Sequence, residues 1–476
     1  MATDECSPCT TRLVVFSWLW ALAVVLHLLY LTNSYAAFSS FTADHVVHLL
    51  LAVAAVALLM RPQSLALLAI VCVLTPVTAW FEAPRLGNHW LLASLVALAL
   101  LAAMALGAAL RPRDVAGRLL ADGLPSARLI FLIVYGFCAL AKFNTSFINP
   151  TVSCANLYVD EVAHSLGLSQ FSSVGDSTWM YLVPWAVMAI ETSVVVLLVI
   201  PRTRVLGVIL ALIFHGLIAF DTAHAFSDFS SVIAALAILF LPDEFFRSLE
   251  PRLRSTVVRV GAWTVAAVSG ALIVWQSTDT RSLSGGIIGD LRDWMWWIVW
   301  ALATTAVLAW SIRSHTNRSD VALLPQDRWM MMWPAVAILI GFGPYLELRV
   351  GTSWNMYANL QTANGSSNSF LIPQTAELTD YLSDLVRITA SSDTGLQSYI
   401  NSNYELPFVN LRGYTSTHPD ASVTYVRDGV TTTVNNTRED PVLGNELPWW
   451  EHKAIVFRAL DENKPVACQN TMLAAR

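Results

Sequence analysis

Charge is scarce in this chain of 476 residues: only 13% are Asp, Glu, Lys or Arg, whereas 55% are hydrophobic. A soluble globular protein carries about 25% charged residues. The composition therefore argues against a soluble enzyme, and the mean hydropathy of +0.54 points the same way. The formal net charge of −6 excludes a broadly basic nucleic-acid binder, because phosphate contacts need clustered Lys and Arg. Six cysteines over this length are too few for a disulfide scaffold. There is no Gly-rich phosphate loop, nucleophile elbow or dinucleotide fingerprint. The hydropathy pattern also lacks the internal repeat that would favour a transporter.

What the chain has instead is apolar runs. A span needs about 20 mostly apolar residues, and this criterion predicts an all-α polytopic transmembrane bundle of about eleven helices. The segments run near 13–32, 45–60, 64–81, 89–110, 127–143, 179–200, 205–220, 229–242, 256–275, 294–312 and 329–346. The second and eighth are short. The first has the outline of a signal peptide, with Arg12 before it and Ser34-Tyr35-Ala36 after it. Its length and the spans that follow favour a retained helix. Eighteen Trp suit interfacial aromatic belts.

The arginines set an orientation. Alternate connections hold Arg12; Arg61; Arg111, Arg113, Arg118 and Arg128; and Arg202 with Arg204. The series continues through Arg247, Arg252, Arg254 and Arg259 to Arg313, Arg318 and Arg328, against Arg85, Arg281 and Arg292 in the connections between. The positive-inside rule makes the first series cytoplasmic, which puts the amino terminus inside and the carboxy-terminal tail outside a cell membrane.

The chain thus divides into a transmembrane domain over 1–346 and a small extracytoplasmic α/β domain over 347–476, where Asn, Thr, Ser, Asp and Gly take over. Ala421–Arg427 alternates as a strand, Asp428-Gly429 is a two-residue hairpin turn, and Val430–Val434 returns. Leu385–Thr389 and Ala454–Arg458 read as further strands. The long outer connection 144–178 is expected to contain an interfacial helix.

Of the three lysines, only Lys142 precedes residue 453. It closes the fifth span, and Tyr135, Cys138 and Lys142 share a helical face at i, i+3 and i+7. An ammonium snorkelling to headgroups is one reading. A base is the other, because buried Lys, unlike Arg, gives up its proton. Glu191 lies mid-span, where a carboxylate is costly unless paired or protonated. Structural pairing with an Arg or His and a chemical role both stand. His215 follows Gly207 and Ala211 on a small-residue face that packs inward. By depth, His27, His45, His48, His89, His215 and His224 share a leaflet, and with Lys142 and Asp44 they are expected to line an outward-opening polar cavity. Asp44, His45, His48, His215, Asp221 and His224 match no strong zinc spacing, so no metal is expected. Cys6-Ser7-Pro8-Cys9 is a lone CxxC. Cys154 and Cys468 both fall outside and are candidates for a disulfide. Asn144, Asn364 and Asn435 are glycosylation sequons only in a eukaryotic source.

Tyr135-Gly-Phe-Cys-Ala-Leu-Ala-Lys142-Phe-Asn144 resembles the HTTM superfamily, which includes the vitamin K-dependent γ-carboxylases. Asn88-His89 before an apolar helix is similar to that family's Asn-His pair, and Glu191 sits where the carboxylases carry an acid. Phe214-His215, Phe226-Ser227 and Leu241-Pro242 follow in the family's order. Ser353-Trp354-Asn355-Met356, Pro344-Tyr345-Leu346 and Asn359-Leu360 extend the likeness, which covers about residues 10–370. It implies a catalytic set of Lys142, His89, Glu191 and His215, with Tyr135 and Cys138 beside a reduced naphthoquinone or related quinol. By that resemblance Lys142 deprotonates the quinol, oxygen converts it to a strong base, and a peptide glutamate is carboxylated. His89 would orient or stabilise a charged intermediate. Two departures stand out: Ala141 occupies the place of a second Lys, and the outer domain is far shorter than that of the animal enzymes. The resemblance implies a quinol-dependent, carboxylase-like lyase, with the lipid bilayer and an outer peptide or protein as partners. The alternatives are a membrane scaffold that positions its outer domain for a partner, or a proton-coupled transporter using Glu191 and the histidines.

Overall fold

A computed structural model describes residues 8–30, 42–110, 114–168, 178–221, 224, 226–278, 287–314, 318–469 and 475, without the side chains of 8, 9, 277, 278 and 287–290. The CxxC at Cys6 and Cys9 lies outside the described side chains.

Apolar runs become helices because backbone groups hidden from water must bond within their own segment. In order these are α1 (Pro8–Tyr30), α2 (Ala43–Met60), α3 (Leu65–Glu82), α4 (Asn88–Leu110), α5 (Val115–Arg118), α6 (Leu124–Ala141), α7 (Cys154–Ser165), α8 (Trp179–Val199), α9 (Arg204–Ile218), α10 (Phe226–Ala237), α11 (Asp243–Leu253), α12 (Thr256–Thr278), α13 (Ile287–Ser314) and α14 (Met332–Phe342). A π-turn over Leu119–Gly123 joins α5 to α6. Helices α1 and α4 are apolar on all sides and largely buried, as central helices must be. Helices α8, α12 and α13 turn Trp185, Val196, Val257, Trp263, Trp294 and Leu302 outward. So much exposed apolar surface suits a hydrocarbon surround rather than water.

Among the described residues, eight helices are long and apolar enough to cross a membrane. Three of the expected spans are shorter. Arg204–Ile218 and Arg328–Phe342 have 15 residues each, or about 22 Å at the helical rise against a hydrocarbon core of about 30 Å. The third, Phe226–Phe240, meets α11 at a 113° bend. The bend falls at Leu241-Pro242, where proline cannot continue the helical bonding.

The two ends of the bundle differ. At one end arginine side chains tie loops together: Arg12 pairs with Asp243 at 2.9 Å and donates to Leu241 O at 2.9 Å. Arg128 donates to Leu239 O at 2.8 Å and Ala322 O at 2.7 Å, and Arg204 to Ser319 O and Val321 O at 2.7 Å each. The other end carries the C-terminal domain. Lys453 Nζ donates to Trp80 O at 2.7 Å and Ala83 O at 3.0 Å at the end of α3, and Trp354 N–H donates to Asn88 Oδ1 at 3.0 Å.

That domain begins with a two-stranded ribbon, β1 (Thr362–Ala363) and β2 (Ser366–Ser367). A five-stranded antiparallel sheet follows, in the order β6-β5-β3-β4-β7. Its strands are β3 (Leu385–Ser391), β4 (Tyr404–Pro407), β5 (Val423–Arg427), β6 (Val430–Val434) and β7 (Leu460–Asp461). Val386, Ile388, Leu406, Val423 and Tyr425 bury one face, with Phe408 and Leu411 of the helix Phe408–Thr417. Asp428 and Gly429 turn the hairpin with φ of +50° and +75°, the left-handed pair a type I′ turn needs.

The strand expected over Ala454–Arg458 does not form. A short helix, Trp449–Ala454, ends there, and 455–459 runs unpaired. Val456 and Phe457 are buried, and their carbonyls are taken by Val350 and Gly351 N–H and by Asn410 Nδ2, so ladder pairing starts at Leu460. Cys154 and Cys468 are joined by a disulfide, which anchors the C-terminal segment to α7.

A Cβ on Gly216 of α9 would overlap the Trp300 indole of α13, whose Nε1 donates to Leu212 O at 2.7 Å. Gly216→Val is expected to cost about 1–3 kcal/mol by overpacking, and Trp300→Ala in the same chain to recover part of it. Thermal unfolding of the four variants closes the cycle, and equal melting of wild type and Gly216→Val would refute the contact.

Candidate functional site

The site is built on the last two turns of α6. Tyr135 and Cys138 are buried on its inward face, and Lys142 is its C-cap, with its N–H bonded to Ala139 O and Leu140 O. Asn144 stops the helix: its amide donates to Ala141 O at 2.7 Å and Ala358 O at 2.6 Å. Its Oδ1 accepts from Ser146 and Phe147 N–H. The chain therefore leaves α6 in a fixed direction, with Lys142 held at the turn.

Lys142 is 5% exposed, so its ammonium is not among headgroups. Its Nζ stands 2.9 Å from Glu191 Oε2 of α8. The contact is an ion pair without hydrogen-bond alignment, since that oxygen has no aligned donor among the described residues. Nζ also donates to Cys138 O at 3.3 Å and Met356 O at 3.4 Å, and lies 5.9 Å from the Phe147 ring centroid. Two carbonyl acceptors, a carboxylate and an aromatic face replace the water that a lysine head normally keeps.

Two turns earlier, Tyr135 Oη and His215 Nε2 lie 3.0 Å apart, joining α6 to α9. His215 O accepts from Ser230 at 2.9 Å, while His215 Nδ1 is buried with no partner among the described residues.

Lys142, Glu191, Tyr135, Cys138, His215 and His89 all line one cavity of about 400 Å³. The rest of its wall is mainly carbon: Leu92, Phe131, Val134, Phe147, Tyr158, Val183, Ile190, Phe214, Phe229 and Ile233 among others. Val159 and Leu217 belong to the wall and are exposed. Met356 and Tyr357 close it from the domain side, on a segment where Trp354 and Tyr357 adopt φ of +57° and +48°. For bulky residues this backbone is strained. Trp354 is held in it by Asn88 Oδ1 and by donation from its indole to Ala337 O at 2.8 Å.

The expected polar cavity of histidines divides in two. His89 and His215 reach the wall, whereas His27 and His48 lie behind it in a buried network that meets the cavity through His89. Glu82 Oε1 lies 3.3 Å from His48 Nε2 and 3.2 Å from His27 Nε2. His27 Nδ1 and His89 Nε2 each stand 2.8 Å from Asp228 Oδ2. His45 contacts Thr42 near the start of α2, and His224 pairs with Asp221 at 2.9 Å. Shared depth had grouped these residues, but the faces of α1, α2 and α4 sort them. Glu82 and Asp228 were missed because each falls one residue outside an expected span, Glu82 after 64–81 and Asp228 before 229–242. The backbone carbonyl of Met356 carries no sequence signal.

No protein-family model, curated protein or solved structure matches this chain.

Because Lys142 and Glu191 neutralise each other in a desolvated site, Lys142→Met is expected to cost about 3–5 kcal/mol by stranding the carboxylate. Lys142→Met with Glu191→Leu should recover most of that loss. Thermal unfolding in lipid nanodiscs measures both, and additive losses would mean the two side chains do not pair.

Proposed function

We propose that the chain is a carboxylase-like membrane enzyme in which Lys142 serves as base toward a lipid-soluble quinol held in the cavity. The observation that carries this reading is the Lys142–Glu191 pair, 2.9 Å apart in the wall of an apolar cavity of about 400 Å³. That volume and lining fall within the usual range for small-molecule sites, about 300–1,000 Å³ with a few placed polar groups. An aromatic quinol ring suits Phe131, Phe147, Phe214 and Phe229, and its oxygen suits His215 Nδ1, which has no partner among the described residues.

The chemistry of the pair follows from desolvation. An apolar occupant expels water, and the ion pair loses the solvation that favours separated charges. Transfer of the proton from Lys142 Nζ to Glu191 Oε2 then leaves a neutral amine beside the occupant. That amine can accept a proton from an acidic hydroxyl, with Glu191 holding the first proton. A bound naphthoquinol would supply the oxygen-dependent strong base, and Tyr135 and Cys138 would border it. His89 would face the reacting region from α4, oriented by Asp228. The acceptor in this reading is a peptide or protein glutamate arriving from the domain side.

The same reading places the bundle in a cell membrane with eleven passes, the arginine-bonded end cytoplasmic and the domain extracytoplasmic. The arginine clustering and the Cys154–Cys468 disulfide, which suits an oxidising compartment, support this orientation.

The protein in nanodiscs is expected to take up oxygen when given reduced naphthoquinone and to incorporate labelled carbon dioxide into a glutamate peptide. Lys142→Met should lose about 10²–10⁴-fold of that rate. If wild type and variant are equally inert and the quinol neither binds nor raises the melting temperature, the enzyme reading fails and the scaffold reading replaces it. Separately, a small epitope inserted at the Asp428-Gly429 hairpin should be labelled on intact cells. Labelling only after permeabilisation would invert the orientation.

A further inference from the structure

Beside the cavity, three ionisable side chains from helices far apart in the chain meet inside the bundle. They are His27 of α1, His89 of α4 and Asp228 of α10. Their ligand atoms all lie within 4.8 Å of one another. Asp228 Oδ2 is 2.8 Å from both His27 Nδ1 and His89 Nε2. The second oxygen, Asp228 Oδ1, is buried with no hydrogen-bond partner among the described residues. We propose that His27, His89 and Asp228 bind one divalent first-row transition-metal ion. The proposal is independent of the quinol reading.

The donor set defines the class of ion. Two imidazole nitrogens and one carboxylate oxygen suit zinc, iron(II), cobalt(II) or manganese(II), whereas magnesium and calcium prefer all-oxygen cages. Metal bonds of about 2.0–2.2 Å put neighbouring ligand atoms roughly 3.0–3.5 Å apart. The two Asp228 contacts at 2.8 Å differ from that spacing by a few tenths of an ångström, and the two histidine nitrogens, within 4.8 Å of each other, would draw together by up to about 1.3 Å.

The surroundings fit as well. A metal-bound histidine ordinarily donates its other N–H to a carboxylate, which fixes the tautomer. His27 Nε2 has such a partner in Glu82, at 3.2 Å, and Glu82 is steadied by His48 Nε2 at 3.3 Å. His48 in turn is anchored through Nδ1 to Asp44 O at 2.9 Å. The His27 ring is stacked on Trp90 at 3.6 Å between centroids, so its plane is set before any ion arrives. Charge points the same way: a divalent cation balances the buried carboxylates Asp228 and Glu82 with every imidazole neutral. Without it, the same balance requires protonated histidines. Because His89 also lines the cavity, the ion would stand at the cavity wall.

The test uses full-length protein in nanodiscs, purified with a tag free of histidine and stripped with chelator. Cobalt(II) titration should show about one equivalent bound per chain with visible ligand-field bands. His89→Ala and Asp228→Asn should abolish those bands, while His45→Ala, at the same end of the bundle, leaves them unchanged. Glu82→Gln should weaken binding by about 10–100-fold. Substoichiometric binding by wild type overturns the proposal, as does binding that survives in His89→Ala. If the triad variants fail to fold, copper(II) spin resonance of the wild type decides. Hyperfine coupling to two imidazole nitrogens supports the site, and its absence refutes it.

Discussion

Ionised groups inside an apolar bundle must be paired or neutralised, and this constraint organises the chain's few buried charges. The cost of leaving one alone runs to several kcal/mol, more than any single helix contact returns. Lys142 meets Glu191 across α6 and α8, His27 and His89 share Asp228 across α1, α4 and α10, and Arg292 is adjacent to Asp293 while lying 3.5 Å from the Tyr30 ring. The contacts that cross between helices, Lys142–Glu191, the Asp228 pairings and Arg292 over Tyr30, fix the rotation of the helices that carry them. Apolar helices lack that definition, because one carbon face packs nearly as well as another.

This constraint also explains how the domain and the bundle act as one body. The segment 347–361 leaves α14 and returns across the bundle end, giving carbonyls to Lys142 and Asn144 and taking an acceptor from Asn88. Lys453 caps the carbonyls at the end of α3 from the domain side. The disulfide secures the last described stretch to α7. A polar end of an apolar bundle is thereby satisfied by backbone and side chains of its own chain.

Much of this architecture was legible in the sequence, and the limits have physical causes. Apolar run length locates helices well because the bilayer sets that length, and it ends one span at Pro242, yet it does not reveal that the chain turns there directly into α11. Alternation and the Asp428-Gly429 turn located β3, β5 and β6, since register is encoded locally. The stretch 454–458 deceived because burial within the domain, beside Val350, Leu382 and Val409, leaves the same apolar signature as a strand. Lys142 and Glu191 each stood out as isolated ionisable residues, but their pairing spans 49 positions and depends on helix rotation. Asp228 escaped because its helix begins in a run of serines that hides its depth. The histidine network escaped for the opposite reason, since depth grouped residues that rotation separates.

The cavity's carbon-rich wall has a thermodynamic corollary. Val159 and Leu217 belong both to that wall and to the exposed apolar surface, so the compartment exchanging with it is hydrocarbon as much as water. The relevant standard state for a lipid-soluble occupant is then its mole fraction in the bilayer, where partitioning has already removed its hydration shell. Little hydrophobic free energy remains to be gained on entry. Selectivity between occupants falls to the handful of polar atoms in the wall, while occupancy is governed by membrane composition.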